Sequence, residues 1–169
     1  MKLDKFICVS ENVSLDDYYN LYNYVRDNMD YPEWLGLIPR EETEKFLKAN
    51  GKIWLYYDGK LPVCSVFYMP SSNKTLKKHN IEVDESITGS LGPIMVRKEY
   101  IGNGLMKQML EIFNNYNIEL GNSYIFTKAA KDNIYSVNNI LKDGYEITHE
   151  YEDERGLNLA FIKKIDKEN

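Results

Sequence analysis

Cysteine is almost missing from this chain, with only Cys8 and Cys64 among its 169 residues. The two lie far apart inside apolar runs, which excludes a disulfide framework and a cysteine metal knuckle. The expectation is a pair of buried free thiols, a reducing compartment and therefore a cytoplasmic protein. Long apolar stretches are missing too. None approaches the roughly 18 residues of a membrane span, and Met1-Lys2-Leu3-Asp4-Lys5 leads into no signal-peptide core. Positive charge is not in excess. A net charge of -5 argues against a nucleic-acid or anionic-membrane partner. No internal repeat, low-complexity tract or interdomain linker appears, so residues 1–169 are expected to form one domain.

The elements follow from periodicity. Phe6 to Val9 reads as a short buried strand. Ser14 then caps a helix in which Leu15, Tyr18, Tyr19, Tyr22 and Val25 recur at three- and four-residue spacing, running to about Asp27. Its tyrosines either line a pocket or sit at the core boundary with their hydroxyls toward water. Met29 to Gly36 is an aromatic loop broken by Pro32 and Gly36. In it Trp34 belongs either to a binding site or to a plug between helices. Pro39 opens a second helix that Gly51 closes.

From Lys52 the period shortens to two. Ile53 to Tyr57 and Pro62 to Met69 form a hairpin around Asp58-Gly59-Lys60. Pro70 to Ile81 is polar and lysine-rich, without periodicity, and reads as a long mobile connection, either a flap or a solvated loop. A third strand is expected from Thr88 to Val96, splayed or bulged by Gly89, Gly92 and Pro93. Leu105, Met106, Met109, Leu110, Ile112, Phe113 and Tyr116 make the clearest apolar helical stripe, ended by Gly121. A strand at Tyr124 to Thr127, a short helix from Asn133 to Gly144, and a hairpin of Tyr145 to Tyr151 with Leu157 to Ile162 complete the chain. The order β-α-α-β-β-β-α-β-α-β-β implies an α/β domain on a mixed sheet.

The chemistry concentrates between the third strand and the striped helix, at Ile101-Gly102-Asn103-Gly104-Leu105-Met106. A Gly-x-Gly turn into a helix N-terminus leaves N–H groups unpaired, with no Cβ to block an anion, and the helix dipole favours negative charge there. It is not a dinucleotide fingerprint, because Lys107 stands where the third glycine is needed. No phosphate-loop NTPase motif occurs either.

The run Ile94-Met95-Val96-Arg97-Lys98-Glu99-Tyr100-Ile101-Gly102-Asn103-Gly104-Leu105-Met106 resembles the acyl-CoA-binding signature of GNAT-type N-acetyltransferases. Val96, Glu99, Tyr100, Gly102 and Gly104 match it, while Ile101 replaces the usual Arg or Gln and Met106 the final small residue. Asn133-x-x-Ser136 with Leu141-Lys142-Asp143-Gly144-Tyr145 resembles the family's later Asn-x-x-Ala and Lys-x-Gly-Phe segments. The resemblance covers residues 50 to 165 well.

It implies a single GNAT-like domain with a twisted, mostly antiparallel sheet flanked by helices, and acetyl-CoA as acyl donor with no metal. Backbone N–H groups of Ile101, Gly102, Asn103, Gly104, Leu105 and Met106 would hold the pyrophosphate. Splayed backbone at Met95 and Val96 would pair with the pantetheine arm and stabilise an oxyanion, and Asn133 with Ser136 would serve the cofactor arm. The reaction implied is direct attack by a primary amine of a small molecule, amino acid or peptide. Candidate bases are Glu85, Glu33 and His149. The family's acid tyrosine corresponds to Ile140, and Tyr135 lies about 140° away on the helical wheel. These departures keep open an alternative, a catalytically weak acyl-CoA-binding sensor or interaction module. A homodimer is compatible with the sequence.

Overall fold

In the computed structural model, which describes residues 1–36 and 38–165, the chain gathers into two compact units. They are Met1–Met69 with Gly92–Phe113, and Pro70–Leu91 with Asn114–Asn169. The element order is β1 (Ile7–Val9), α1 (Leu15–Asp27), α2 (Arg40–Lys48), β2 (Lys52–Asp58), β3 (Leu61–Pro70), α3 (Asn73–Lys78), β4 (Thr88–Leu91), β5 (Met95–Val96), α4 (Leu105–Glu119), β6 (Tyr124–Ala130), α5 (Ile134–Lys142), β7 (Glu146–Asp153) and β8 (Gly156–Lys164).

The first unit is built on the β2–β3 hairpin. Gly59, at φ +60°, supplies the left-handed residue that a two-residue turn needs. β1 and β5 are both antiparallel additions: Cys8 faces Tyr56 across β1 and β2, and Ser65 faces Met95 across β3 and β5. Ser14 caps α1 by accepting the Asp17 N–H at 3.2 Å. Of the stripe expected from the sequence, Tyr18 and Tyr22 are buried, together with Leu21 outside it, against Ile53, Leu55, Phe67 and Met95, while Leu15, Tyr19 and Val25 are partly buried beside them. The tyrosine hydroxyls are satisfied locally: Tyr19 donates to the Ile38 carbonyl at 2.7 Å and Tyr22 to that of Gly36.

The second unit has strand order β4-β6-β8-β7. β4 runs parallel to β6 and the other pairs are antiparallel, so most pairings in the molecule are antiparallel. A bulge between Ile147 and His149 shifts the β7 register. Leu76, Ile81, Phe126 and Ala160 form its buried cluster, and α5 contributes Val137 and Ile140 to the interior.

Three expectations are corrected. Cys8 is exposed while Cys64 is buried, because β1 is a sheet edge paired only with β2; Ile7 is likewise 63% exposed. The stretch from Pro70 to Ile81 is no structureless connection but contains α3. Ser72 caps that helix, and Leu76 and Ile81 anchor the segment at 1% and 4% exposure. The strand expected from Thr88 to Val96 is two strands, β4 and β5. Between them the Gly92 N–H leaves the ladder to bond the Phe67 carbonyl at 2.8 Å. No helix among the described residues is long and apolar enough to cross a membrane.

Candidate functional site

The link that delivers β5 into α4 is held by side chains. Tyr24 donates its hydroxyl to Glu99, holding that carboxyl below the usual carboxylate range, and Tyr100 donates to Asp58 Oδ2 at 2.6 Å. The Arg97 guanidinium lies 3.9 Å from the Tyr24 ring centre, and the Phe6 ring meets Tyr100 edge-on at 5.6 Å. The loop that follows is shaped by its glycines. Gly102 and Gly104 sit at φ +87° and +76°, and Asn103 folds its amide back onto the Tyr100 carbonyl at 2.9 Å.

The consequence is a row of unused donors. Among the described residues, the backbone N–H groups of Gly102, Asn103, Gly104, Leu105, Met106 and Lys107 find no backbone partner; the helical pattern starts with Gln108 N–H to Gly104 C=O. No acidic residue occupies the first turn of α4, so nothing there competes for the positive end of the helix dipole. A Cβ at Gly102 would meet no atom within 4 Å, and one at Gly104 would meet only Gln108 Nε2, at 4.0 Å. The cradle is therefore open as well as unpaired, which fits a pyrophosphate. Ile101, expected in the row, lies outside it: its N–H donates to the Lys98 carbonyl at 3.3 Å and its 57% exposed side chain offers no donor, whereas Leu105 is buried at 2% and anchors the helix.

Upstream, Met95 buries its side chain completely, and among the described residues β5 pairs only with β3. Its second edge keeps backbone groups available, the geometry an extended ligand would use. Within the other unit, Asn133 caps α5: its Oδ1 accepts the Ser136 N–H at 3.3 Å, leaving the Nδ2 donors for a ligand. Ile140 is 4% exposed, buried in the interior, while Tyr135 points out at 60%.

The three candidate bases are placed very differently. Glu85 accepts the Asn73 N–H at 2.6 Å and so serves the start of α3. Glu33 is exposed on the turn Pro32–Trp34, beside the Tyr31 and Trp34 rings stacked at 4.6 Å. His149 has its Nδ1 3.2 Å from Nδ1 of His79 and its ring stacked on Tyr151 at 5.4 Å.

His79 is the residue the sequence reading missed. It is 1% exposed, and burial, followed by the charges of Lys128, His149 and Lys78, lowers its pKa to about 4. The apolar spacing Leu76, His79, Ile81 inside a lysine-rich run was its only signal. Among the described residues no group of three or more His, Cys, Asp or Glu could hold a metal ion.

Solved structures share this arrangement over nearly their whole length. Ard1 from Thermoplasma volcanium superposes with a TM-score of 0.70 at 10% identity, covering 95% of this chain and 99% of that one. A GNAT family acetyltransferase from Elizabethkingia anophelis, with acetyl-CoA bound, gives 0.65 at 10% identity over 96% and 99%. The chain has the GNAT acetyltransferase fold. A chain of the NatC complex bound to Gag peptide and CoA also carries it, with a TM-score of 0.67 at 14% identity over 94% and 99%. No family model matches the sequence, and no curated protein matches it in sequence. In this GNAT frame the glycine turn before α4, the two-residue strand β5 and the Asn133 cap are the segments to which the sequence resemblance assigned the cofactor.

Proposed function

We propose that the protein is an acyl-CoA-dependent N-acetyltransferase that transfers an acetyl group from acetyl-CoA to a primary amine of a small molecule, amino acid or peptide. The observation that carries this reading is the row of unpaired N–H groups from Gly102 to Lys107, opened by two glycines at positive φ. Those groups would hold the pyrophosphate, the open edge at Met95 and Val96 the pantetheine arm, and the Asn133 amide, ordered by Ser136, an acceptor group of that arm. Acetyl-CoA supplies the acyl group as a thioester. The chain must supply an unprotonated amine, because a free amine with a pKa near ~10.4 is mostly charged at neutral pH. Of the three candidate bases, Glu85 is engaged at α3 and His149 with His79, whereas Glu33 makes no hydrogen bond or ion pair among the described residues. Glu33 is therefore the base favoured here.

One observation supports the second reading, an acyl-CoA sensor of weak activity. The position where a proton donor for the departing sulfur would be expected is Ile140, apolar and buried. A thiol ionises near ~8.5, so its thiolate can leave unaided, at a cost of about 10²-fold in rate. Calorimetry with acetyl-CoA tests both readings together, since no saturable binding at millimolar ligand would end them. Release of free CoA over a panel of amines then separates them: sustained silence despite binding selects the sensor. Gly104→Val, which forces a branched residue into φ +76° beside the cradle, is expected to weaken acetyl-CoA binding at least about tenfold. Unchanged affinity in the folded variant would contradict the site.

A further inference from the structure

Gln108 lies one turn into α4, and both polar atoms of its side chain are engaged. Oε1 accepts the Leu3 N–H at 2.7 Å, and Nε2 donates to the Met1 carbonyl at 3.0 Å and to the Gly104 carbonyl at 3.3 Å. The orientation of the amide is dictated by its partners, since only an oxygen can face the Leu3 N–H and only an NH₂ can face two carbonyls. The Gln108 backbone N–H donates to the same Gly104 carbonyl at 3.3 Å. That carbonyl therefore receives two bonds from one residue. The segment on the far side of Gln108 is itself anchored, with Leu3 at 5% and Phe6 at 7% exposure.

A peptide unit is planar, so its C=O and the following N–H point in opposite directions. Pinning the Gly104 carbonyl toward Gln108 thus fixes the Leu105 N–H on the outer side, in the middle of the unpaired row. Glycine at φ +76° has no Cβ to hold that plane by itself. Ile101, at the position where the resemblance expects Arg or Gln, offers no side chain that could order the loop around an anion.

We propose that Gln108 is a positioning residue for the pyrophosphate cradle, tying the segment Met1 to Leu3 to the peptide plane of Gly104 so that the loop is held open before ligand arrives. It acts through Gly104 and touches no phosphate. The inference rests on the acyl-CoA reading given above.

Two variants test it. Gln108→Met removes all three side-chain bonds at similar length. Gln108→Glu keeps the acceptor for Leu3 and loses both donors. The probes are acetyl-CoA and its nucleotide half, 3′-phosphoadenosine 5′-diphosphate, measured by calorimetry on the full chain, with the melting temperature recorded in parallel. The expected result is about a tenfold loss of affinity for both probes in each variant, and, with an accepted amine, a tenfold rise in KM for acetyl-CoA with kcat changed less than twofold. Wild-type affinity for both probes in either folded variant overturns the proposal. A loss of kcat with KM unchanged overturns it too, since that marks a general structural role. If the unsubstituted protein binds neither probe, the acyl-CoA reading itself falls, an outcome distinct from wild-type binding that survives the substitutions.

Discussion

Acid should destabilise the α3 region through one residue. His79 caps the C-terminus of α3 with its ring between Phe126, 5.5 Å away, and Tyr151, 4.6 Å away. Burial comes first in lowering its pKa from 6.5 to about 4, and Lys128, His149 and Lys78 add to it. The unfolded chain takes a proton there as pH falls through 6.5, whereas the folded chain refuses it until about pH 4. Stability from this group is therefore complete above that upper value and is lost as pH falls through the window. At about 1.4 kcal/mol per tenfold, the full loss is about 3 kcal/mol, of which about 2 kcal/mol has gone by pH 5.

The assay is urea denaturation at pH 7, 6 and 5, comparing His79 with His79→Leu. The leucine chain should lose about 2 kcal/mol less between pH 7 and pH 5. Parallel stability curves for the two chains would refute the reasoning, as would an NMR titration placing the His79 ring midpoint near its ordinary value.

Other outcomes follow from particular contacts. Gly92→Ala would put a Cβ 3.0 Å from Phe67 Cβ and 3.1 Å from the Phe67 carbonyl oxygen, so thermal denaturation should show a loss of about 1–3 kcal/mol. Ellman's reagent should titrate one thiol, Cys8, in the native protein and both after denaturation; the Cys8 reaction should be slow at pH 7, since desolvation of the thiolate raises its pKa. Glu85→Ala removes the acceptor of the Asn73 N–H, which should cost about 0.5–1 kcal/mol and appear as faster amide exchange confined to α3.

Much of the fold is legible where one element carries its own pattern. The stripe of α1, the stripe of α4 and the two-residue turn at Gly59 are local, and each stands close to where periodicity puts it. α3 escaped because six residues with three lysines and a single buried side chain show no stripe. The helix is stabilised by the Ser72 cap and by Glu85, twelve residues away. Cys8 was misjudged because a three-residue strand has the same pattern at an edge as in the middle of a sheet. The break between β4 and β5 was half legible: Gly92 and Pro93 announced an irregularity, but only the register shows β4 pairing with β6 and β5 with β3.

By itself the sequence determined the glycine turn ahead of α4, since two glycines at positive φ and a helix N-terminus with unpaired N–H groups are properties of consecutive residues. It also determined the order of elements, apart from α3 and the division of β4 from β5. Only the tertiary structure decided what surrounds those features. It set Gln108 against Leu3 across 105 positions of chain and His79 against His149 across 70. It also withdrew Ile140 into the interior. Such pairings depend on where distant elements come to rest, and neither helical nor strand periodicity carries that information beyond its own segment.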